Sequence, residues 1–321
     1  MKVRRFAAIL LLVPLSAYGK DSAGFRGDPQ HPGVYETAPL AKFTQVKWKF
    51  QTRGKIFSSP AVVGDTAYIG SADHRLYAID ISTGKEKWQF KTGSGNPSSP
   101  AVAGGKVYFL SYDSTFYAVD AATGKERWKF QTAGEHRYAA THLHGSQPSS
   151  ETMPDPFDVY LSSPLVFQGA VYFGSGDGNI YSLDAGNGKL KWKFQTGDVV
   201  HASPVIAEGI LYIGSWDSYF YALDAATGRE KWRFKTGDDR DTHNQVGIQS
   251  SAVVTDGLVY FGCRDSNLYA LDAATGEKKW AFNNKGSWVI ASPIVYEGKL
   301  YFATSDSGMF HALEAKTGAS I

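Results

Sequence analysis

The sequence has little of several things that common protein classes require. It holds one cysteine, Cys263, among 321 residues, so no internal disulfide can form. Basic and acidic residues nearly balance, 33 against 31, which argues against the basic footprint of a nucleic-acid-binding protein. Beyond the first 15 residues no apolar run is long enough to cross a membrane as a helix. We therefore expect neither a disulfide scaffold, nor a nucleic-acid binder, nor a helical membrane protein.

The first residues predict export. Three basic residues within the first five positions precede an apolar run from Phe6 to Leu15, and Ala17-Tyr18-Gly19 offers small residues for cleavage. We expect residues 1–19 to be a signal peptide, residues 20–45 to be an arm, and the protein to be periplasmic or secreted. No cysteine stands near the cleavage site, so a lipid anchor is not expected. An uncleaved N-terminal anchor is the alternative.

Aromatic residues and glycine are abundant, and they recur in a repeat. The chain has 34 Gly, 19 Phe, 18 Tyr and 8 Trp. Six tryptophans stand in similar contexts, at spacings of 40, 40, 64, 40 and 48 residues: Trp48, Trp88, Trp128, Trp192, Trp232 and Trp280. Two of the gaps are therefore the 40-residue period plus an insertion of 24 or 8 residues. A fixed period of this length indicates a repeat architecture.

One copy of the repeat contains four strand-like segments. In the copy from Ser58 to Phe90, short alternating runs are separated by turns rich in Gly and Asp: Ser58–Val63, Thr66–Ser71, Arg75–Asp80 and Glu86–Phe90. Period-2 alternation bounded by such turns predicts antiparallel strands. Four of them per copy are typical of a β-propeller blade.

The number of copies predicts an all-β, six-bladed β-propeller over residues 46–321, with insertions at 131–161 and 236–248. The sixth copy, Ala291 to Ile321, contains only three strands. We expect Val46 to Phe50 to supply its fourth strand, so that the N-terminal strand closes the ring and no sheet edge is left exposed.

Two repeated residue types are assigned to the scaffold. The six tryptophans are expected to pack between successive blades, because a buried indole removes a large area from water. Aspartates before Thr-Gly or Asn-Gly pairs are expected to accept hydrogen bonds from turn N–H groups. These aspartates are Asp80, Asp120, Asp184, Asp224 and Asp272.

The segment Ala-x-Asp-x-x-Thr-Gly-x-x-x-Trp, as in Ala118 to Trp128, resembles the repeat of the PQQ-like (pyrroloquinoline-quinone type) β-propellers. The resemblance covers residues 46–321 and implies the architecture. Two branches share this repeat: quinoprotein alcohol dehydrogenases, which hold the quinone with calcium, and non-enzymatic BamB-like proteins, which assist outer-membrane protein assembly. The chain departs from both, since it has no pair of adjacent cysteines, no lipidation cysteine, and six blades where eight are usual.

Propeller geometry predicts where a site would lie. Turns between second and third strands share one face with the links between blades, and both insertions are such links. We call this the insertion face, and we expect binding groups there because a rigid ring carries its loops. The ligand-binding candidates on this face and beside the channel are Trp216, Trp288, His201, Arg240, Gln249 and Arg264. Trp216 and Trp288 lie outside the repeating set and could stack on a planar ligand such as a quinone or a sugar.

Weaker patterns allow a metal site. His142 and His144 form a His-x-His pair whose imidazoles would point the same way in an extended segment, and His201 or His243 could complete a three-histidine set. Hard oxygen ligands for calcium are also present in the second insertion: Asp238, Asp239, Asp241 and Asn244. The plain alternative is that both insertions are solvated polar loops.

The sequence favours an exported, monomeric, non-catalytic propeller that binds a protein partner or a small ligand on the insertion face, as a BamB-like assembly scaffold. The alternative is a small dehydrogenase of alcohols or sugars that uses the quinone with calcium. A third reading is a metal-dependent enzyme using His142 and His144. No residue is assigned a catalytic role, because one fold hosts many activities.

Overall fold

The computed structural model describes residues 21–31, 33, 45–96, 98–139, 152–153, 160–237 and 247–321. Within these ranges every regular element is a β-strand, and the strands form six antiparallel sheets and one short strand pair. The described residues contain no helix with the length and apolar character needed to cross a bilayer. The expected signal peptide and most of both insertions lie outside these ranges.

Each of the six sheets is one blade of a propeller, numbered here in chain order. Blades 1 to 5 have four strands each, paired in chain order, and blade 6 has three. A two-residue strand pair, β9 with β10, lies in the first insertion. The strands are β1 (Ala61–Val63), β2 (Thr66–Ser71), β3 (Arg75–Asp80), β4 (Glu86–Lys91), β5 (Ala101–Ala103), β6 (Lys106–Ser111), β7 (Thr115–Asp120), β8 (Glu126–Gln131), β9 (Tyr138–Ala139), β10 (Thr152–Met153), β11 (Leu165–Phe167), β12 (Ala170–Gly174), β13 (Asn179–Asp184), β14 (Leu190–Gln195), β15 (Val205–Ala207), β16 (Ile210–Gly214), β17 (Tyr219–Asp224), β18 (Glu230–Lys235), β19 (Val253–Thr255), β20 (Leu258–Gly262), β21 (Asn267–Asp272), β22 (Lys278–Asn283), β23 (Ile294–Tyr296), β24 (Lys299–Ala303) and β25 (Phe310–Glu314).

Burial along each blade follows from its position between two neighbours. In β3, four consecutive residues from Leu76 to Ile79 are buried, because both faces of a central strand are covered by adjacent blades. In β4, half-buried Trp88 and Phe90 alternate with exposed Lys and Gln, as an outer strand requires. Alternation between half-buried and exposed side chains is therefore found in the outer strand and not in the central strand. The apolar core lies between blades.

The repeating tryptophans join successive blades, as predicted. Trp88 Nε1 donates to the carbonyl oxygen of Ala121 at 3.0 Å, and its ring covers Gly124 of the next blade. A Cβ placed on Gly124 would lie 2.6 Å from that ring. The same hydrogen bond runs at 2.8–3.3 Å from Trp48 to Ile81, Trp128 to Ala185, Trp192 to Ala225, Trp232 to Ala273 and Trp280 to Ala315.

The turn aspartates also have the predicted role. Asp80 Oδ1 accepts the backbone N–H groups of Ser82 and Thr83 at 2.9 and 2.8 Å. Hydrogen bonds from the Ser82 hydroxyl and from Thr83 lower the pKa of Asp80 to about 2. Asp120, Asp184, Asp224 and Asp272 accept equivalent backbone hydrogen bonds. The turn thus accounts for this residue type.

At the seam between blade 6 and blade 1, the tryptophan contact is present but the strand pairing is not. Trp48 meets blade 1 as the other tryptophans meet their neighbours, and Phe50 packs edge-on against Tyr77 with ring centroids 5.3 Å apart. Among the described residues, however, no strand pairing joins 46–50 to blade 6. The outer edge of β25 is met only near its end, where Ser320 pairs with Leu313. Closure of the ring by Val46–Phe50 therefore stays a prediction.

Apolar side chains of blade 6 are exposed at the seam. Phe310 is 70% exposed. Residues in the same column of the other five blades are fully buried against the following blade: Leu76, Phe116, Ile180, Phe220 and Leu268. Phe310 is exposed because, among the described residues, blade 6 has neither a paired fourth strand nor a following blade packed closely against it.

The N-terminal arm closes the channel on the face opposite the insertions. It hydrogen-bonds the inner strands near their first turns, where Asp21 Oδ1 accepts the N–H of Gly64 at 3.0 Å. Arg26 donates to carbonyl oxygens of Pro293 and Ser251. The arm's backbone bonds join Ser22 to Val62, Ala23 to Val102, Pro29 to Ile206 and Gln30 to Val254. Inner strands leave N–H groups unpaired at the channel, and the arm accepts hydrogen bonds from those of blades 1, 2, 4 and 5.

The Trp–Gly contact can be separated from backbone strain by two alanine substitutions. Gly124 and Gly169 have φ of +70° and +75°, but only Gly124 faces an indole; a Cβ on Gly169 would meet no atom within 4 Å. We expect Gly169→Ala to cost about 1 kcal/mol of unfolding free energy through φ alone. Gly124→Ala should cost about 2 kcal/mol more through overpacking. Urea midpoints of the two variants measure the difference, and equal midpoints would contradict the proposed role of the contact.

His31 in the arm predicts acid sensitivity. It is 2% exposed, and burial together with the Arg26 charge lowers its pKa to about 3. The unfolded chain takes up this proton near pH 6.5, so stability falls as the pH drops from about 6.5 towards 3. At pH 5 the loss relative to pH 7 should be about 2 kcal/mol. His31→Gln should flatten this part of the stability–pH curve, whereas the exposed His74→Gln should leave it unchanged.

Candidate functional site

A cavity of about 420 Å³ occupies the channel above the arm. Phe25 of the arm contributes to its lining, which also includes one serine from each blade. Four larger side chains complete its mouth and wall: Phe57, Tyr160, His201 and Gln249. The volume lies in the usual range of small-molecule pockets, about 300–1,000 Å³.

The six serines form a belt that sequence reasoning did not assign to a site. Each serine stands two residues before the first residue of an innermost strand. The hydroxyl oxygen of each serine after the first accepts the backbone N–H of the serine in the preceding blade. Five bonds of 2.9–3.1 Å run in order through Ser59, Ser99, Ser163, Ser203, Ser251 and Ser292. No such bond joins Ser292 to Ser59, both described, so the belt is open at the same seam as the blades. A Ser-Pro pair in five copies was the available signal.

Four of the predicted ligand residues meet in one cluster on the insertion face. The Arg264 guanidinium lies between two indoles, with its Cζ 4.0 Å from the ring centroid of Trp216 and 4.4 Å from that of Trp288. Arg264 Nη2 donates to Gln249 Oε1 at 3.0 Å. Arg264 is 1% exposed. One face of each indole that was expected to stack on a ligand is therefore occupied by an arginine of the same chain.

His201 belongs to a second polar contact at the channel wall. Its Nε2 lies 2.9 Å from Glu135 Oε2, and Glu135 rests on Gly176, where a Cβ would clash with the carboxylate. The next residue, His136, bonds Asp198 through Nδ1 at 2.8 Å. The first residues of the first insertion are thus fastened to blade 3 and to the link before blade 4.

Several predicted residues cannot be placed. Arg240, His142, His144 and His243 lie outside the described residues, so the ligand role of Arg240 and the histidine metal site stay predictions. The part of the chain that the structure covers contains no group of three or more His, Cys, Asp or Glu side chains suited to a metal ion. Cys263 is fully buried, and burial raises the pKa of its thiol.

Acidic residues of the insertion face are used by the scaffold. Asp73 Oδ2 accepts the hydroxyl of Tyr77 at 2.7 Å and the N–H of Arg53 at 2.9 Å. Burial and this hydrogen bond raise the pKa of Tyr77 to about 12. The same tyrosine bond is made to Asp113, Asp177, Asp217 and Asp265. Each carboxylate thus ties a strand to the link that precedes its blade.

Blades joined by tryptophan, with a belt of residues around a central channel, define a β-propeller of the PQQ-like repeat class. The family described as "Outer membrane protein assembly factor BamB" matches residues 41–153, 145–285 and 267–321. The chain belongs to this family. No curated protein matches it.

Solved structures share the fold at low identity. BamB from Moraxella catarrhalis is 20% identical with a TM-score of 0.70, over 86% of this chain and 78% of that one. A europium-containing methanol dehydrogenase is 16% identical with a TM-score of 0.71, over 94% and 77%. Quinohemoprotein alcohol dehydrogenase from Comamonas testosteroni is 17% identical with a TM-score of 0.65, over 88% and 57%. These likenesses concern the fold.

The dehydrogenase relatives raise the question whether this channel suits the quinone with calcium. Calcium takes six to eight oxygen ligands, chiefly from carboxylates. Among the described residues that line the cavity, none is Asp or Glu. One face of Trp216 and one face of Trp288 are already in contact with Arg264. The described residues therefore do not fit this cofactor pair.

The arginine–tryptophan stack predicts a specific intolerance of lysine. Arg264→Lys removes the planar group between the indoles and its bond to Gln249, and we expect a loss of about 2–3 kcal/mol in unfolding free energy. Arg233→Lys is the matched control, because Arg233 lies 5.2 Å from the Tyr219 ring and its side chain is 53% exposed. Arg233→Lys should change the unfolding free energy by no more than about 0.5 kcal/mol. Chemical denaturation of both variants measures it; similar small losses would show that the stack contributes little.

Proposed function

We propose that the chain is an exported, non-catalytic assembly factor of the periplasm or the extracellular space, which binds a protein partner on the insertion face. The family name supports a role in outer-membrane protein assembly. The described residues fit a rigid platform better than a cofactor site, because five aspartates of this face bond tyrosines of the scaffold and the two indoles hold Arg264.

One observation carries the proposal: an exposed aromatic pair stands at the mouth of the channel. Phe57 and Tyr160 are 36% and 46% exposed, and their rings meet edge to face with centroids 6.2 Å apart. Ile56 beside them is 46% exposed. All three lie on links between blades, hence on the insertion face. Aromatic side chains of this kind are enriched where protein partners bind.

The surroundings of the pair suit an extended, apolar segment of a partner. Arg53 and Lys55 are exposed on the same link, so a polar rim adjoins the apolar centre, as in protein interfaces. The link itself is held in place, since the backbone N–H of Ala72 donates to the carbonyl oxygen of Lys55 at 2.9 Å. A fixed link lowers the entropy lost when a partner docks.

The test is loss of binding when the aromatic pair is removed. The double variant Phe57→Ala/Tyr160→Ala should bind a fluorescent peptide with an outer-membrane strand pattern, alternating aromatic and polar residues, at least about tenfold more weakly. Fluorescence anisotropy measures the dissociation constants. Leu190→Ala is the matched control, because Leu190 is 47% exposed on β14, away from the channel, and should change binding less than about twofold.

Unchanged affinity of the double variant would remove the aromatic pair from the interface. An equal loss in the Leu190→Ala variant would show general stickiness of exposed apolar residues instead of a defined docking surface.

A further inference from the structure

The serine belt has a hydrogen-bonding capacity that the scaffold does not use. Ser99, Ser163, Ser203 and Ser251 are 4–6% exposed, and all line the channel cavity. Each hydroxyl oxygen accepts a backbone N–H, so its own proton is directed elsewhere. Among the described residues no group accepts any of these four protons, in contrast to the neighbouring Ser162, whose hydroxyl donates to the carbonyl oxygen of Ala202 at 2.8 Å.

The repeat makes these donors converge. The serines occupy one position in every blade, and that position is on the innermost strand, so their hydroxyls surround a single cavity. An N–H bound to the oxygen also polarises the O–H and makes it a stronger donor. A ligand with several acceptor oxygens would satisfy this set.

The charge around the cavity favours an anion. No carboxylate is among the described residues that line it, and the nearby Glu135 carboxylate is paired with His201 of the wall at 2.9 Å. Arg26 donates to the carbonyl oxygens of Ser251 and Pro293, which places its positive charge beside the belt at the arm end of the channel. A group that accepts hydrogen bonds and carries negative charge is therefore better suited than a sugar, whose hydroxyls need acceptors as well as donors.

The remaining lining sets the shape of the ligand. Phe25 lies at the arm end of the cavity, while Leu161 and Ile290 line its wall and Phe57 and Tyr160 its mouth. We propose that this channel binds a small organic carboxylate, with the carboxylate group on the serine belt and an apolar body against these side chains. The site shares Phe57 and Tyr160 with the proposed protein-docking surface, but the serine belt takes no part in that surface, so serine variants test this proposal alone.

Adjacent serines provide the matched variants for a test. Ser162 and Ser163 both make structural hydrogen bonds, but only Ser163 lines the cavity. Titration calorimetry of the full chain with benzoate should show saturable binding at concentrations up to about 10 mM. Ser163→Ala should weaken it roughly five- to tenfold, the effect of one hydrogen bond to a charged group. Ser162→Ala should leave it within about twofold, although it also removes buried hydrogen bonds.

Ligand controls separate the chemistry from general affinity. Benzamide has the same shape without the charge and should bind at least about fivefold more weakly; glucose should not bind. Absence of saturable benzoate binding would overturn the proposal. Equal losses in Ser162→Ala and Ser163→Ala, or tighter binding of benzamide or glucose, would do the same. Circular dichroism of both variants confirms that each remains folded.

Discussion

The contact of an indole with a glycine of the next blade is the constraint on which this propeller depends. Blades 1 to 5 each end in a strand whose tryptophan covers the Thr-Gly or Asn-Gly turn of the next blade and donates to a carbonyl of the same turn. A side chain at that glycine would occupy the ring's place. The contact therefore fixes the distance and the angle between neighbours, and it joins the separate sheets into a propeller.

Three further sets of hydrogen bonds hold the blades at other distances from the channel axis. Serine hydroxyls join the innermost strands, aspartates of the insertion face tie blades 1 to 5 to the links before them, and the N-terminal arm bonds inner strands on the opposite face. Because the same blades are fastened near the axis, at the turns and at the circumference, the loops of the insertion face stand on a rigid base. The seam between blades 6 and 1 is the exception: there the serine belt and the fourth-strand pairing are both missing among the described residues.

Much of the fold could be predicted from the sequence because each copy repeats the same local information. Strand alternation, Asp and Gly at turns, and one tryptophan per period specify a blade without reference to its neighbours. The contacts within the candidate site were harder to predict. Trp216, Trp288, Arg264 and Gln249 contact one another in the structure, but a pattern of residue types could not show that the arginine would lie between the indoles. Arg240, His142, His144 and His243 lie outside the described residues and remain untested.

The sequence by itself determined the blade, the number of copies and the face that carries the insertions, because these depend on periodicity and on turn chemistry close along the chain. Only the tertiary structure decided which side chains meet in the channel. Ser99, Ser163 and Ser203 are 40 or more residues apart, and Arg26 reaches blade 6 across most of the chain length. Such contacts follow from the curvature of the assembled ring, which no local pattern encodes.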